Sequence, residues 1–250
     1  MFATRLTSSG IFIFSFFIAC DAFAQKATLP KWEAGINIGG YIYQGDLTPN
    51  RFGSVETIQP GMGISGTRIL NRSFSARLLF NIARLAGDES IYKYPEWRQQ
   101  RNFSFTASVK ELSLLVHWNI LGTNYDERKF EPYLFAGGGL SFVNIHRNYS
   151  KVDTEYFGPE SEMLRGLAVD ASTPTPKVIP VVPVGAGLRY NLSDRIAING
   201  EGSYRLMHND YLDGFSMSAN PKLKDHYSSI TIGIAYKFGS KNRYGCPTAN

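Results

Sequence analysis

The sequence predicts an all-β fold, an eight-stranded antiparallel β-barrel that crosses a membrane and carries long external loops. Three observations predict it. After residue 24 the hydrophobicity comes in eight short runs that alternate apolar with polar residues. The connections between those runs alternate long and short. The polar faces carry charges at mid-strand, at Arg77, Glu111, Glu201 and Arg205. Alternation alone does not say which face is wet. A sandwich keeps such charges in water, whereas a small barrel turns its apolar face to lipid and must pair the charges inside.

The first run covers residues 32–43. It sets Trp32, Ala34, Ile36, Ile38 and Ile42 against Glu33, Gly35, Asn37 and Gly39. The second covers 60–70, with Met62, Ile64 and Leu70 alternating with Gly and Ser. In the third, 74–85, Phe74, Ala76, Leu78, Phe80 and Ile82 oppose Ser75, Arg77 and Asn81. In the fourth, 107–121, Leu112, Leu114, Val116, Trp118 and Ile120 oppose Glu111, Ser113, His117 and Asn119. The fifth covers 130–145 and includes Gly137-Gly138-Gly139. The sixth covers 178–190, where Pro180 and Pro183 cannot donate ladder hydrogen bonds and point to a rim or a bulge, with the membrane part starting near Val184. The seventh, 195–206, sets Ile196, Ile198, Gly200, Gly202 and Tyr204 against Asn199, Glu201, Ser203 and Arg205. The eighth, 227–238, sets Ile230, Ile232, Ile234, Tyr236 and Phe238 against Ser229, Thr231, Gly233, Ala235 and Lys237.

Residues 71–73 and 191–194 make short links, and 122–129 a moderate one. Residues 44–59, 86–106, 146–177 and 207–226 make long ones. Long external loops and short periplasmic turns fit this order, and an even strand count puts both ends of the barrel in the periplasm. The Pro- and Ser-rich stretch 148–177 reads as a mobile loop. Eight strands enclose a lumen only wide enough for side chains, which disfavours a wide passive pore.

The first residues set the compartment. Arg5 begins a short basic region, residues 11–19 are apolar apart from Ser15, and Ala22-Phe23-Ala24 offers small residues for cleavage before Gln25. The expected organisation is therefore a signal peptide at 1–24, an outer-membrane barrel at 25–239 and a short periplasmic tail at 240–250. Phe17-Ile18-Ala19-Cys20 departs from a lipidation box by its leading Phe, and cleavage after Ala24 would remove Cys20 and leave Cys246 without a disulfide partner. The net charge of +5 is a mild excess with no dense basic run, so nucleic acid is not expected as a partner.

The chemistry-bearing residues read as structural. His117, His146, His208 and His226 follow no metal-ligand spacing, so no metal and no cofactor are expected. The alternation assigns Arg77, Glu111, His117, Glu201 and Arg205 to a polar network in the lumen. His208 or His226 near Asp210 and Asp213, with Ser203 or Ser216, could compose a hydrolase triad, but no nucleophile elbow accompanies them. No catalytic residue is assigned and an enzyme is not expected. Gly137-Gly138-Gly139 lacks the Lys-Ser/Thr of a phosphate loop and reads as easing strand curvature or making room for lumen side chains. Tyr41, Tyr43, Trp118, Tyr133, Tyr190, Tyr204, Tyr227 and Tyr236 lie near run ends and read as interfacial belts.

Gly39-Gly40-Tyr41-Ile42-Tyr43-Gln44-Gly45-Asp46-Leu47 opens a series continued by Glu111-Leu112-Ser113, Phe130-Glu131-Pro132-Tyr133-Leu134-Phe135-Ala136-Gly137, Tyr190-Asn191-Leu192-Ser193 and Asp210-Tyr211-Leu212-Asp213. In this order the motifs resemble PorG-like outer-membrane barrels of Bacteroidota, over most of the chain. The resemblance implies a component of the type IX secretion system that tethers a periplasmic ring or lipoprotein partner to the outer membrane, with no catalytic residues. On the predicted topology Gly45-Asp46-Leu47 and Asp210-Tyr211-Leu212-Asp213 lie in external loops, where Asp46 and Asp213 would accept loop hydrogen bonds.

The leading expectation is therefore a structural barrel of a secretion machine, in contact with outer-membrane lipid. Its periplasmic turn 122–129, with Asp126, Glu127, Arg128 and Lys129, and its tail would face the partner. The alternatives are an adhesion or envelope-integrity barrel acting through its external loops and, behind it, a lipid-modifying enzyme.

Overall fold

The computed structural model describes residues 32–238 except 51, 127, 208–209 and 221–223. The expected signal peptide, the tail, Glu127 and His208 lie outside the described residues. The chain forms a closed barrel in which each strand pairs antiparallel with the next and β1 pairs with β8. The strands are β1 (Trp32–Gln44), β2 (Gln59–Ile69), β3 (Phe74–Asp88), β4 (Ser104–Asn119), β5 (Phe130–Asn148), β6 (Val178–Asn191), β7 (Ile196–Met207) and β8 (His226–Phe238). Each coincides with one predicted run. Several extend past it toward the long loops, because the polar ends of β3, β4 and β5 continue the ladder beyond the apolar residues.

Side-chain parity is as the alternation predicts. Ile36, Ile38, Met62, Ile64, Leu78, Leu114 and Ile232 lie outside and exposed, while Glu33, Arg77, Glu111, Arg189, Asn199 and Arg205 are buried inside. Trp32 faces Phe238, Phe74 faces Trp118, and Phe130 faces Tyr190, so aromatic pairs ring the short-turn end on the outside. An apolar exterior around a charged interior cannot stand in water, and closure leaves no unpaired strand edge. The molecule is an outer-membrane β-barrel, with its short turns and the paired strand ends Trp32 and Phe238 at one rim and its long loops at the other.

Three expectations need correction. No bulge marks the prolines. β6 runs without a change of register from Val178 through Val184, with Pro180 opposite Leu140 and Pro183 opposite Arg205, and Pro183 only leaves a gap in the pairing to β5. The aromatic belt is half as large as expected. Trp118, Tyr190, Tyr204 and Tyr236 share the outward parity, but Tyr41, Tyr43, Tyr133 and Tyr227 are odd-numbered, point inward and are buried. The stretch 148–177 is folded, with helices α2 (Thr154–Phe157) and α3 (Glu162–Ser172), whereas α1 (Trp97–Arg101) lies in the preceding long loop. Ser161 caps α3 by accepting from the Leu164 amide at 3.3 Å, and Met163 and Leu167 pack on the core below.

Glycines make space for the inner aromatics. Gly187 is the ladder partner of Tyr133 and Gly185 that of Phe135, and a Cβ on either would meet the ring at 2.4 to 2.5 Å. The third of the Gly137-Gly138-Gly139 run and the first approach the β4 backbone as closely, with Leu112 O at 2.4 Å and Leu114 O at 2.0 Å from an added Cβ. These glycines are set by contact with the neighbouring strand.

Candidate functional site

Charged pairs seal the middle of the lumen. Arg77 of β3 reaches Glu201 of β7 at 2.5 Å, and Glu201 also accepts from the Tyr133 hydroxyl at 2.6 Å. Nearer the long loops, Arg205 of β7 donates to Glu111 of β4 at 3.2 Å. Glu111 accepts as well from Tyr227 at 2.6 Å and Ser113 at 2.8 Å. The Arg205 guanidinium lies 5.4 Å from the ring centroids of both Tyr41 and Tyr227. Four of the five residues assigned to the network thus form two ion pairs that bridge the barrel. Voids beside Arg77 measure about 20 and 10 Å³, room for one water at most.

The fifth, His117, is in the lumen but not in the hydrogen-bonded network. Its ring stacks on Phe135 at 5.1 Å and tilts against Tyr133 at 5.2 Å, and its Nε2 is buried without a hydrogen-bond partner. Its strand position makes it an aromatic spacer between the rings of β5. Sequence reasoning missed a third bridge, from Arg189 of β6 to Glu33 of β1 at 2.5 Å, with Asn199 accepting from Arg189 Nε at 3.2 Å. The signal was present: both residues occupy the inward parity of runs already recognised.

Above the charged layers, loop residues descend into the barrel mouth. Leu47, Leu212, Phe103 and Phe215 are fully buried with Tyr43, Leu85, Phe105, Ile179 and Met207. Phe103 and Phe215 stack at 4.2 Å. The two aspartate motifs, 45–47 and 210–213, meet here. The Tyr43 hydroxyl lies 2.7 Å from Asp213 and 2.6 Å from Asp225. A Cβ at Gly45 would fall 2.0 Å from that hydroxyl and 2.1 Å from Asp225, so only glycine fits. The Tyr43 hydroxyl carries one proton and can donate to only one of the two carboxylates at a time. Burial, with each aspartate beside the other, pushes Asp213 well above the ordinary carboxylate value, and burial pushes Asp225 up to about 8. Asp46, which accepts from the Asn220 amide at 2.8 Å, is pushed by burial up to about 6.

A fourth carboxylate organises the rest of the cap. Asp170, at the end of α3, accepts from the backbone of Ser216 at 3.2 Å, Met217 at 3.1 Å and Ser218 at 2.8 Å, and from the Ser218 hydroxyl at 2.6 Å. On the other side Glu89 is gripped by Arg101 at 2.6 Å and Arg98 at 3.2 Å. The motif aspartates 46 and 213 are loop-folding elements, as their expected position implied. Of the groups weighed for a triad, Ser216 donates to Asp210, and Ser203 contacts Ser229 at 2.8 Å and Arg205. His226 accepts from the Met207 amide at 3.2 Å. Among the described residues no group of His, Cys, Asp and Glu has metal-binding geometry.

At the opposite rim the turn 120–129 is held by its backbone. Asn124 donates to the carbonyl of Asn71 at 2.9 Å and its amide to that of Arg72 at 3.0 Å. The carbonyls of Arg128 and Lys129 accept from the side chain and backbone of Asn191 at 2.6 and 2.8 Å. Asp126, Arg128 and Lys129 are left exposed at this rim.

A model of the family described as Domain of unknown function (DUF6089) matches residues 10–248. No curated protein matches the chain. Among solved structures the chain is similar to the attachment invasion locus protein Ail of Yersinia pestis, solved with the heparin analogue sucrose octasulfate, at 13% identity and a TM-score of 0.43, over 83% of this chain and 99% of that one. It is similar to Neisserial surface protein A at 13% identity and a TM-score of 0.44, over 83% and 97%. It is similar to a major outer membrane protein of Thermus thermophilus at 12% identity and a TM-score of 0.45, over 83% and 99%.

Proposed function

We propose that this chain, which belongs to the DUF6089 family, is a non-conducting outer-membrane anchor that holds a periplasmic partner at its short-turn rim. The partner is the ring or lipoprotein of a type IX-like protein-secretion machine, as the motif resemblance implies. The observation that carries the reading is the pairing of a lumen filled by ion pairs with a charged turn hydrogen-bonded to both neighbouring turns. Arg77–Glu201, Glu111–Arg205 and Glu33–Arg189 fill the space a permeant solute would need. Below them the turn offers Asp126, Arg128 and Lys129, with Asn124 tied to the turn at Asn71 and Arg72, and Arg128 and Lys129 tied to Asn191. No chemistry is assigned to the chain. Ser216→Ala with His226→Ala should leave the lipids of the membrane unaltered by mass spectrometry.

Crosslinking in native membranes tests the anchor. A periplasmic protein should be trapped through Asp126, Arg128 or Lys129. Exchange of residues 122–129 for a neutral turn of equal length should abolish the product while the barrel still inserts. Trapping that survives this exchange and removal of residues 240–250 would put the partner elsewhere. Steady ion current through the purified barrel in a planar bilayer would contradict the sealed lumen.

A second reading, adhesion through the external loops, is favoured by the folded cap. A pocket of about 700 Å³ opens there among Gln44, Asp46, Trp97, Arg98 and Lys224. Protease shaving of intact cells separates the two, because it removes surface adhesion and spares a periplasmic crosslink.

A further inference from the structure

The outward faces of β3 and β4 end their apolar runs in the same way. Along β3 the outward residues are Phe74, Ala76, Leu78, Phe80 and Ile82, and the next is Arg84. Along β4, from the periplasmic side, they are Trp118, Val116, Leu114 and Leu112, and the next is Lys110. Arg84 and Lys110 are both exposed. Lys110 stands in the ladder between Ile82 and Phe142, and Arg84 is opposite Ser108, so the two cations are diagonal neighbours. That places their backbones about 7 to 8 Å apart, close enough for both side chains to reach one phosphate group. No carboxylate forms an ion pair with either among the described residues. Two cations at the upper edge of a lipid-covered belt, without acidic neighbours in their ladder positions, are placed to attract anions of the membrane.

The surface beside them has the complementary shape. A shallow groove of about 970 Å³ runs over the outside of the barrel between Ile38, Met62, Ile82, Ile230 and Ile232, with Gly200 and Arg84 in its wall. Ile232, Ile38, Met62 and Ile82 share one ladder row with Lys110, so the groove runs across the strands with the two cations at its β3–β4 end, and an apolar groove with cations at one end matches an amphiphile with a chain along the belt and negative charge at that end.

We propose that this face binds an anionic phosphorylated lipid of the outer leaflet, its phosphate between Arg84 and Lys110 and one acyl chain in the groove. The site is separate from the periplasmic rim, so the anchoring reading stands or falls without it. Native mass spectrometry of the intact protein, released from nanodiscs of phosphatidylcholine and diphosphorylated lipid A, tests the site. The wild type should retain lipid A over phosphatidylcholine. Arg84→Gln/Lys110→Gln should lower that preference about 10- to 30-fold, as two interfacial cations allow. Arg68→Gln, which removes an outward cation near the periplasmic end of β2, should leave the preference in place. The wild-type protein offered lipid A stripped of its phosphates should show the same loss as the double variant, a measurement that needs no variant to fold. Equal retention of phosphorylated and stripped lipid A, an unchanged preference in the folded double variant, or an equal loss in Arg68→Gln would each overturn the proposal.

Discussion

The middle of the lumen and the loop cap are both buried and both rich in carboxylates, yet apart from Glu89, which the cap pairs with Arg101 and Arg98, they are compensated in different ways. In the lumen each of Glu33, Glu111 and Glu201 meets an arginine from a distant strand. In the cap Asp170 is held by backbone amides and a serine, and Asp213 and Asp225 share the hydroxyl of Tyr43. Asp213 and Asp225, two buried carboxyls sharing one neutral donor, hold together best with a proton between them. The lumen is therefore the part expected to stay closed, and the cap the part that responds to conditions.

The largest expected effect lies in the lumen. Arg205→Met leaves Glu111 buried with only Tyr227 and Ser113 as donors and should destabilise the barrel by about 3 to 5 kcal/mol. Adding Glu111→Leu should recover most of that loss. Urea unfolding in detergent, followed by tryptophan fluorescence, reads both. A double variant as unstable as the single one would show that the arginine acts by packing, and the contrast with the cap would fail.

Asp170→Ala comes next. It removes the acceptor of three backbone amides and should cost about 2 to 3 kcal/mol, confined to the cap. Hydrogen exchange should accelerate at residues 216–218 and not in β4. Equal acceleration in both places would mean that cap and barrel open as one unit. Ser161→Ala removes the cap of α3 and should cost about 1 kcal/mol in the same segment.

The effect that most sharpens the comparison is in pH. The ordinary value of Asp225 is 3.8 and its folded value about 8. The folded cap thus binds more protons than the open one. Its stability is full below the ordinary value, falls as pH rises between the two, and is lowest above about 8. Exchange at residues 212–218, corrected for intrinsic rates, should be at least about threefold faster at about pH 9 than at about pH 6, with β4 unchanged. Asp225→Asn should flatten the difference. A pH response in the lumen strands equal to that of the cap would remove the distinction.

The lumen network is legible in the sequence because strand parity assigns a face to every residue. Alternation alone places Arg77, Glu111, Glu201 and Arg205, and the same parity holds for Glu33 and Arg189. It puts His117 on the right face but with the wrong neighbours, since parity says nothing of what stands across the barrel. For Tyr41, Tyr43, Tyr133 and Tyr227, aromatic type and position near a run end suggest a belt, and parity, which points them inward, is the better guide. The cap is hidden further still. Asp170 and Ser218 are 48 residues apart, and no local pattern connects them.

The amino-acid order by itself determined the strands, their inward and outward faces, the alternation of loops and the closure that follows from eight of them. It could do so because a period of two and turn residues are local properties. Which arginine meets which glutamate, how the loops enter the barrel mouth, and where Arg84 and Lys110 stand together were decided by the shared register of distant strands. Those juxtapositions exist only once the sheet has closed, because closure alone brings together residues that the chain keeps apart.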